Sequence, residues 1–132
     1  MELIRRNSDY ALRSLSHIAR FPLGSKFTLR TIARKEDVPF AFLRKTFQKL
    51  SRKKIVGSHL GPKGGFYLLK EPSQITLGDI LEAVQGPISL SDCLRYSGSC
   101  KRIKSCRVNK KLLSIQKEID GLLAKTTLGE LI

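Results

Sequence analysis

A glycine-rich loop between two short segments typical of β-strands constrains the fold of this chain more than any other feature. The segments are residues 55–60 and 66–69, and the loop that joins them reads Gly61-Pro62-Lys63-Gly64-Gly65. Because glycine adopts positive φ without strain, this pattern predicts a β-hairpin. Three amphipathic helical patterns precede it, so we expect a mainly α-helical chain with one small β-hairpin.

The helical patterns have recognisable ends. Apolar residues recur every three or four positions over 10–20, after Thr28, from Pro39 to about Lys53, and after Thr76. Thr28 suits an N-cap, Pro39 suits the opening of a helix, and Thr76 with Asp79 resembles a capping box. Helix, helix, helix, hairpin and helix in this order predict a winged helix-turn-helix domain over residues 1–86.

The outer side of the third helix is strongly basic. The chain has 25 Lys and Arg against 11 Asp and Glu, a net charge of +14, and no acidic residue between Val38 and Lys70. Such a charge favours a polyanionic partner. In a winged helix the third helix enters the major groove of duplex DNA, where Arg and Gln pair with base edges and Lys binds phosphates.

The DNA contacts are therefore predicted on the third helix and on the hairpin, which forms the wing. His59 is the weakest of them, because an ordinary polar strand position explains it equally well. The predicted DNA-contacting residues are Ala41, Arg44, Lys45, Gln48, Lys49, Arg52, His59, Lys63 and Gly64.

A helix of about 107–125 carries a narrow apolar stripe. Its residues are spaced 4, 3, 4 and 3 positions apart, as in a coiled coil, and they are Val108, Leu112, Ile115, Ile119 and Leu122. Such a stripe needs a partner surface. A neighbouring helix of the same chain would satisfy it, but a second copy of the chain is favoured, so residues 107–132 are predicted to be a dimerisation helix and tail.

Residues 87–106 are predicted to be a cysteine-containing loop. Residues 88–106 have no helical period and contain all three cysteines, Cys93, Cys100 and Cys106. The Cys-x-x-Cys pairs of structural zinc sites are missing. Basic residues between the cysteines would lower thiol pKa values and offset the charge of an iron–sulfur cluster, so a cluster-binding loop is one interpretation. Free reduced cysteines and a thiol redox switch are the alternatives that the spacing leaves open.

Four stretches resemble one protein family. Residues 7–15 look like its opening helix, 43–50 like its recognition helix, 61–68 like its wing and 76–84 like the helix that follows. The chain is similar to the Rrf2 family of dimeric bacterial transcription regulators, of the IscR and NsrR type. The resemblance implies a winged-helix domain, a long dimerisation helix, and an iron–sulfur cluster on Cys93, Cys100 and Cys106 that tunes operator binding.

The resemblance leaves the fourth cluster ligand open. One branch uses a histidine three residues after the last cysteine, where this chain has Asn109. Another, nitric-oxide-sensing branch uses an acid before the tyrosine of the opening helix, supplied by the partner subunit, and Asp9 matches that position. Helix N-terminal charge or a pair with Arg13 explains Asp9 about as well, and His17 is a more distant candidate. The spacing of the first two cysteines leaves both a two-iron and a four-iron cluster open.

The sequence thus predicts a homodimeric, DNA-binding repressor of the bacterial cytoplasm and nucleoid, tuned by a cluster that senses nitric oxide, iron or redox state. The alternatives are a cluster-free winged-helix regulator that uses cysteine oxidation and, further off, a basic RNA-binding protein. An enzyme is not expected, because no catalytic motif is present. No apolar run approaches the ~20 residues that span a bilayer, so no membrane partner is expected.

Overall fold

The computed structural model describes residues 2–96, 98 and 100–132. It contains a two-stranded antiparallel sheet and mostly helices, which confirms the predicted mainly α-helical fold with a wing. The helices are α1 (Arg6–Ala19), α2 (Leu29–Glu36), α3 (Phe40–Arg52), α4 (Leu77–Gln85), α5 (Asp92–Arg95) and α6 (Arg107–Lys125). The strands are β1 (Val56–His59) and β2 (Gly65–Leu68), and short 3-10 helices lie at Pro72–Gln74 and Leu128–Leu131.

Helix α1 begins a turn earlier than the predicted start near Tyr10. Its first turn is polar and has no apolar period, so the sequence pattern missed it. Gln85, at the end of α4, stabilises this turn: its Oε1 accepts from the Arg5 backbone N–H (3.0 Å) and from Ser8 Oγ (2.6 Å). Its amide nitrogen donates to the Leu3 carbonyl oxygen at 2.8 Å. A side chain distant in the sequence thus satisfies the backbone N–H of the N-cap residue Arg5 and holds the segment before the helix.

Helices α2 and α3 form the helix-turn-helix pair. Thr28 caps α2, since its Oγ1 accepts from the Thr31 backbone N–H at 3.2 Å. Asp37 ends α2 in the left-handed region, with φ of 52°, and Pro39 is the N-cap residue of α3. The inner face of α3 is buried and consists of Leu43, Thr46, Phe47 and Leu50. Both helices match the sequence prediction.

The wing is fixed to the helical core through backbone and aromatic contacts. Phe27, in the connection between α1 and α2, exchanges two backbone hydrogen bonds with Phe66 of β2, at 2.8 and 2.7 Å. The Phe66 ring also meets the Phe47 ring edge to face, with centroids 5.2 Å apart. The wing therefore has a defined position relative to α3.

Helix α4 begins at the predicted capping box. Thr76 Oγ1 accepts from the Asp79 backbone N–H (3.0 Å), and an Asp79 carboxylate oxygen accepts from the Thr76 N–H (3.1 Å). The C-terminal tail returns to this point: the Leu128 N–H donates to the Ile75 carbonyl oxygen at 2.8 Å, and the Leu128 side chain is fully buried. The tail after α6 therefore completes the core of the winged-helix domain.

Part of the cysteine-containing segment is ordered against α6. The short helix α5 lies within the segment for which the sequence showed no period. Before it, the chain is held by Gln116 of α6, which is buried: its Oε1 accepts from the Leu90 N–H and its Nε2 donates to the Ile88 carbonyl oxygen, both at 2.9 Å. None of the described helices is long and apolar enough to cross a membrane.

Gly65→Ala is expected to loosen the wing. A Cβ at position 65 would lie 2.6 Å from the Phe27 carbonyl oxygen, a backbone atom that takes part in the Phe27–Phe66 bridge. We expect the free energy of unfolding to fall by about 1–3 kcal/mol, measured by thermal or urea unfolding.

Gly78→Ala is the matched control, because its Cβ would meet nothing closer than 3.6 Å and it lies within α4. It is expected to be neutral or to stabilise by up to about 1 kcal/mol. Equal unfolding midpoints for wild type and Gly65→Ala would contradict the role given to the Phe27–Phe66 bridge.

Candidate nucleic-acid interface and cysteine site

The predicted DNA-contacting residues of α3 lie on one exposed side of the helix. Burial of Leu43, Phe47 and Leu50 fixes the rotation of α3 about its axis. The opposite side then carries the exposed residues Ala41, Arg44, Lys45, Gln48 and Arg52. This side combines cationic and amide donors over three helical turns, as a helix needs for both phosphates and base edges.

Lys49 is exposed but has a partner within the chain. Its Nζ donates to the Val84 carbonyl oxygen at 3.1 Å, near the C-terminal end of α4. A cation at the C-terminus of a helix is favourable, because the last carbonyl groups carry partial negative charge. In this conformation Lys49 links α3 to α4. The other basic residues of α3, Arg44, Lys45 and Arg52, form the exposed basic surface.

Phe40, at the start of α3, is a member of this surface that the sequence analysis missed. Its ring is 37% exposed, and the Arg30 guanidinium of α2 lies 4.8 Å from the ring centroid. A helical projection of α3 would have found Phe40, since Phe40, Arg44 and Gln48 are spaced four residues apart.

The wing presents Lys63 at its exposed tip, beside Leu60, which is 98% exposed. His59 stacks on Tyr67 of the opposite strand, with ring centroids 4.9 Å apart. Gly64 is required by the turn, because a Cβ there would collide with the His59 carbonyl oxygen. The close approach of the backbone within the hairpin therefore explains why position 64 is a glycine.

Asp9 and His17 both have partners within the chain. Asp9 Oδ2 lies 3.6 Å from an Arg13 guanidinium nitrogen, one helical turn away. His17 Nδ1 lies 3.1 Å from a Glu36 carboxylate oxygen and so connects α1 to α2. The contact of Asp9 is the local pairing that the sequence also allowed.

Asn109 connects two of the three cysteines. Its side-chain amide donates to Cys93 Sγ at 3.2 Å, and its backbone N–H donates to Cys106 Sγ at 3.4 Å. Ser91 Oγ lies 2.9 Å from Cys93 Sγ. The hydrogen bonds from Ser91 and Asn109 lower the pKa of the Cys93 thiol, because they stabilise the thiolate.

Cys100 does not join this arrangement. It is exposed, whereas Cys93 and Cys106 are half-buried. Within residues 2–96, 98 and 100–132, no three His, Cys, Asp or Glu side chains come together as a group that could hold a metal ion. Among these described residues the three thiols are therefore not gathered at one point, and Cys93 and Cys106 share contacts with Asn109.

The apolar stripe of α6 is partly uncovered. Val108 and Leu122 are 66% and 65% exposed, Ile115 is also exposed, and Leu112 and Ile119 are half-buried. The neighbouring side of the helix is used within the chain, where Gln116 holds the segment before α5. No local pattern predicts this use of Gln116, because a polar residue beside an apolar stripe is usually exposed to solvent.

Comparisons with known proteins agree with this architecture. The profile of the Rrf2 family, described as an iron-dependent transcriptional regulator, matches residues 4–132. An Aquifex aeolicus protein assigned as an HTH-type transcriptional regulator is 32% identical over 93% of this chain and 86% of its own. The HTH-type transcriptional regulator IscR of Escherichia coli is 26% identical over 93% of this chain and 75% of its own.

Among solved structures, CymR, the global cysteine regulator of B. subtilis, superposes on this chain with a TM-score of 0.79 at 26% identity. The superposition covers 99% of this chain and 96% of CymR. These relatives are transcriptional regulators and not enzymes. With a winged helix-turn-helix fold and a family profile that matches almost its whole length, the chain belongs to the Rrf2 family of transcriptional regulators.

Proposed function

We propose that this protein is a homodimeric repressor that binds an operator in duplex DNA, on the bacterial nucleoid. The observation that carries the proposal is the exposed basic side of α3. The burial of Leu43, Phe47 and Leu50 turns this side toward solvent, and the Phe27–Phe66 bridge fixes the position of the wing. The family, whose members regulate transcription, supports the same function.

The residues of this surface divide into two roles. Arg44 and Gln48 would read base edges in the major groove, since both side chains pair with bases through two hydrogen bonds. Lys45, Arg52 and the wing residue Lys63 would bind phosphates, which gives affinity without sequence preference. Ala41 lies among these side chains on α3, and His59 and Gly64 lie on the wing. Lys49 would join the surface by exchanging its Val84 contact for a phosphate.

Lys63→Ala is expected to weaken binding to all duplex sequences alike. Removal of one phosphate contact reduces the slope of log affinity against log salt concentration by about one unit. Fluorescence anisotropy over a salt series would measure the affinity and the slope together.

Lys125→Ala serves as the control, because it removes the same charge from the last turn of α6. It should leave the slope unchanged. An affinity of the wild type that does not vary with salt, or a preference for structured RNA over duplex DNA at equal salt, would contradict the proposed function.

The dimer is proposed from the uncovered stripe of α6. Val108, Ile115 and Leu122 lie on one side of the helix and are exposed within a single chain. Contact with the same stripe of a second copy would remove this apolar area from water, and a two-fold dimer would present two copies of α3 to two half-sites.

Ile115→Asp is expected to convert the dimer to a monomer and to lower operator affinity by at least tenfold, because it places a charge in the apolar contact. Light scattering after size exclusion would measure the mass. Ser114→Asp, which places the same charge one residue away on an exposed side of α6, should remain dimeric. A dimeric Ile115→Asp protein would show that this stripe is not the interface.

The sensing function is proposed to lie in residues 87–106. One candidate is an iron–sulfur cluster on Cys93, Cys100 and Cys106, with Asp9 of the second subunit as an additional ligand, and the description of the family as iron-dependent supports it. Such a cluster would supply reactivity toward nitric oxide, iron limitation or oxidants. The chain would first have to bring Cys100 to the other two thiols.

The second candidate is a cluster-free thiol switch, which the contacts of Asn109 favour. Cys93 and Cys106 both accept hydrogen bonds from Asn109, whereas Cys100 is exposed to solvent. Oxidation of these two thiols by hydrogen peroxide would form one S–S bond, with the two thiol protons and two electrons passing to the peroxide to give two molecules of water.

Cys100→Ala separates the two candidates. If a cluster is the sensor, the wild-type protein purified without oxygen contains iron and sulfide, and Cys100→Ala lacks the visible absorption of the cluster. If the pair is the sensor, Cys100→Ala still loses two thiols per chain on peroxide treatment, and Cys93→Ala does not. Thiol titration and iron analysis measure both outcomes. If DNA binding by Cys93→Ala still responds to peroxide or to loss of iron, both candidates are contradicted.

A further inference from the structure

The exposed side of α3 has a shallow hollow of about 320 Å³ near its N-terminal end. Two apolar residues, Phe40 and Ala41, line it together with three polar ones, Arg44, Lys45 and Gln48. The hollow therefore places an apolar surface in the middle of the side chains proposed to contact DNA.

The aromatic ring in this hollow has no structural task in the core. Phe40 lies outside the buried core cluster, which α3 joins through Leu43, Phe47 and Leu50. The Arg30 guanidinium over the Phe40 ring, 4.8 Å from its centroid, restricts the orientation of the ring by a cation–π contact. A partly exposed aromatic ring held in this way is a preformed contact surface.

The chemistry of the major groove identifies what this surface fits. Base edges there present hydrogen-bond donors and acceptors, and the one apolar group is the 5-methyl of thymine, which Ala and Phe side chains contact in protein–DNA complexes. A methyl group requires little space, and the neighbouring polar side chains would meet the edges of adjacent bases.

We propose that Phe40 and Ala41 form a subsite for the 5-methyl group of a thymine in each half-site of the operator. This inference rests on the proposed function, since it assigns the base preference of the same recognition helix. It predicts a specificity that the phosphate-binding residues Lys45, Arg52 and Lys63 do not supply.

The test begins with selection of binding sequences from a library of random DNA duplexes with the full-length dimer. Each thymine of the selected half-site is then replaced singly by deoxyuridine, which removes only the methyl group. At one position the affinity should fall about fourfold, the value expected for one buried methyl group. Replacement of the same base pair by cytosine and by 5-methylcytosine should show the same advantage for the methylated base.

Two variants assign the effect to the subsite. Ala41→Ser adds only a hydroxyl to the side chain and makes the methyl site polar, so it should bind the thymine and deoxyuridine duplexes with equal affinity. Lys45→Ala, which borders the same hollow, should weaken binding to both duplexes by the same factor and keep the fourfold preference.

The outcomes distinguish this inference from the proposed function. If the wild type selects duplexes and binds every deoxyuridine duplex as tightly as the parent, the thymine subsite is overturned and DNA binding stands. A thymine preference that persists in Ala41→Ser overturns the assignment to this hollow. If the wild type binds no duplex at all, the proposed function itself fails.

Discussion

Phe47 is the residue on which the positions of α3 and the wing, the two elements proposed to contact DNA, depend. It is fully buried in the middle of α3, and its ring meets Phe66 of β2 edge to face at 5.2 Å. Phe66 is in turn bonded through its backbone to Phe27, before α2. One aromatic contact thus relates the recognition helix, the wing and the helix-turn-helix pair. Because protein interiors are closely packed, these three elements keep fixed relative positions and the basic surface is preorganised.

The cysteine segment is connected to α6 by two amide side chains. Asn109 holds Cys93 and Cys106, and Gln116 holds the backbone at Ile88 and Leu90. Asn109 and Gln116 both belong to α6, the proposed dimer helix. A ligand or oxidation state that engages the thiols competes with the contacts of Asn109, so it changes how this segment is held on α6. Such a change alters DNA binding only if the two states of the segment differ in affinity for the operator.

Much of the fold was open to prediction because its signals are local. The capping box of Thr76 and Asp79, the cap of Thr28 and the glycine-rich turn each depend on residues a few positions apart. The apolar period likewise separated Leu43, Phe47 and Leu50 from the basic side of α3. The early start of α1 was missed, because its first turn is stabilised by Gln85 from the other end of the domain. Phe40 was missed because a phenylalanine at the start of a helix is usually expected to be buried in the core.

By itself, the amino-acid sequence determined the order of the elements, the side of α3 that is basic and the family to which the chain belongs. These follow from hydrophobic period, caps and charge, which act over one or two helical turns. Only the tertiary structure decided the partners of the polar side chains: Lys49 bonds to α4, His17 to Glu36, and Asn109 to two thiols while Cys100 stays apart. Hydrogen bonds over such distances depend on how helices pack against one another, and no local pattern encodes that geometry.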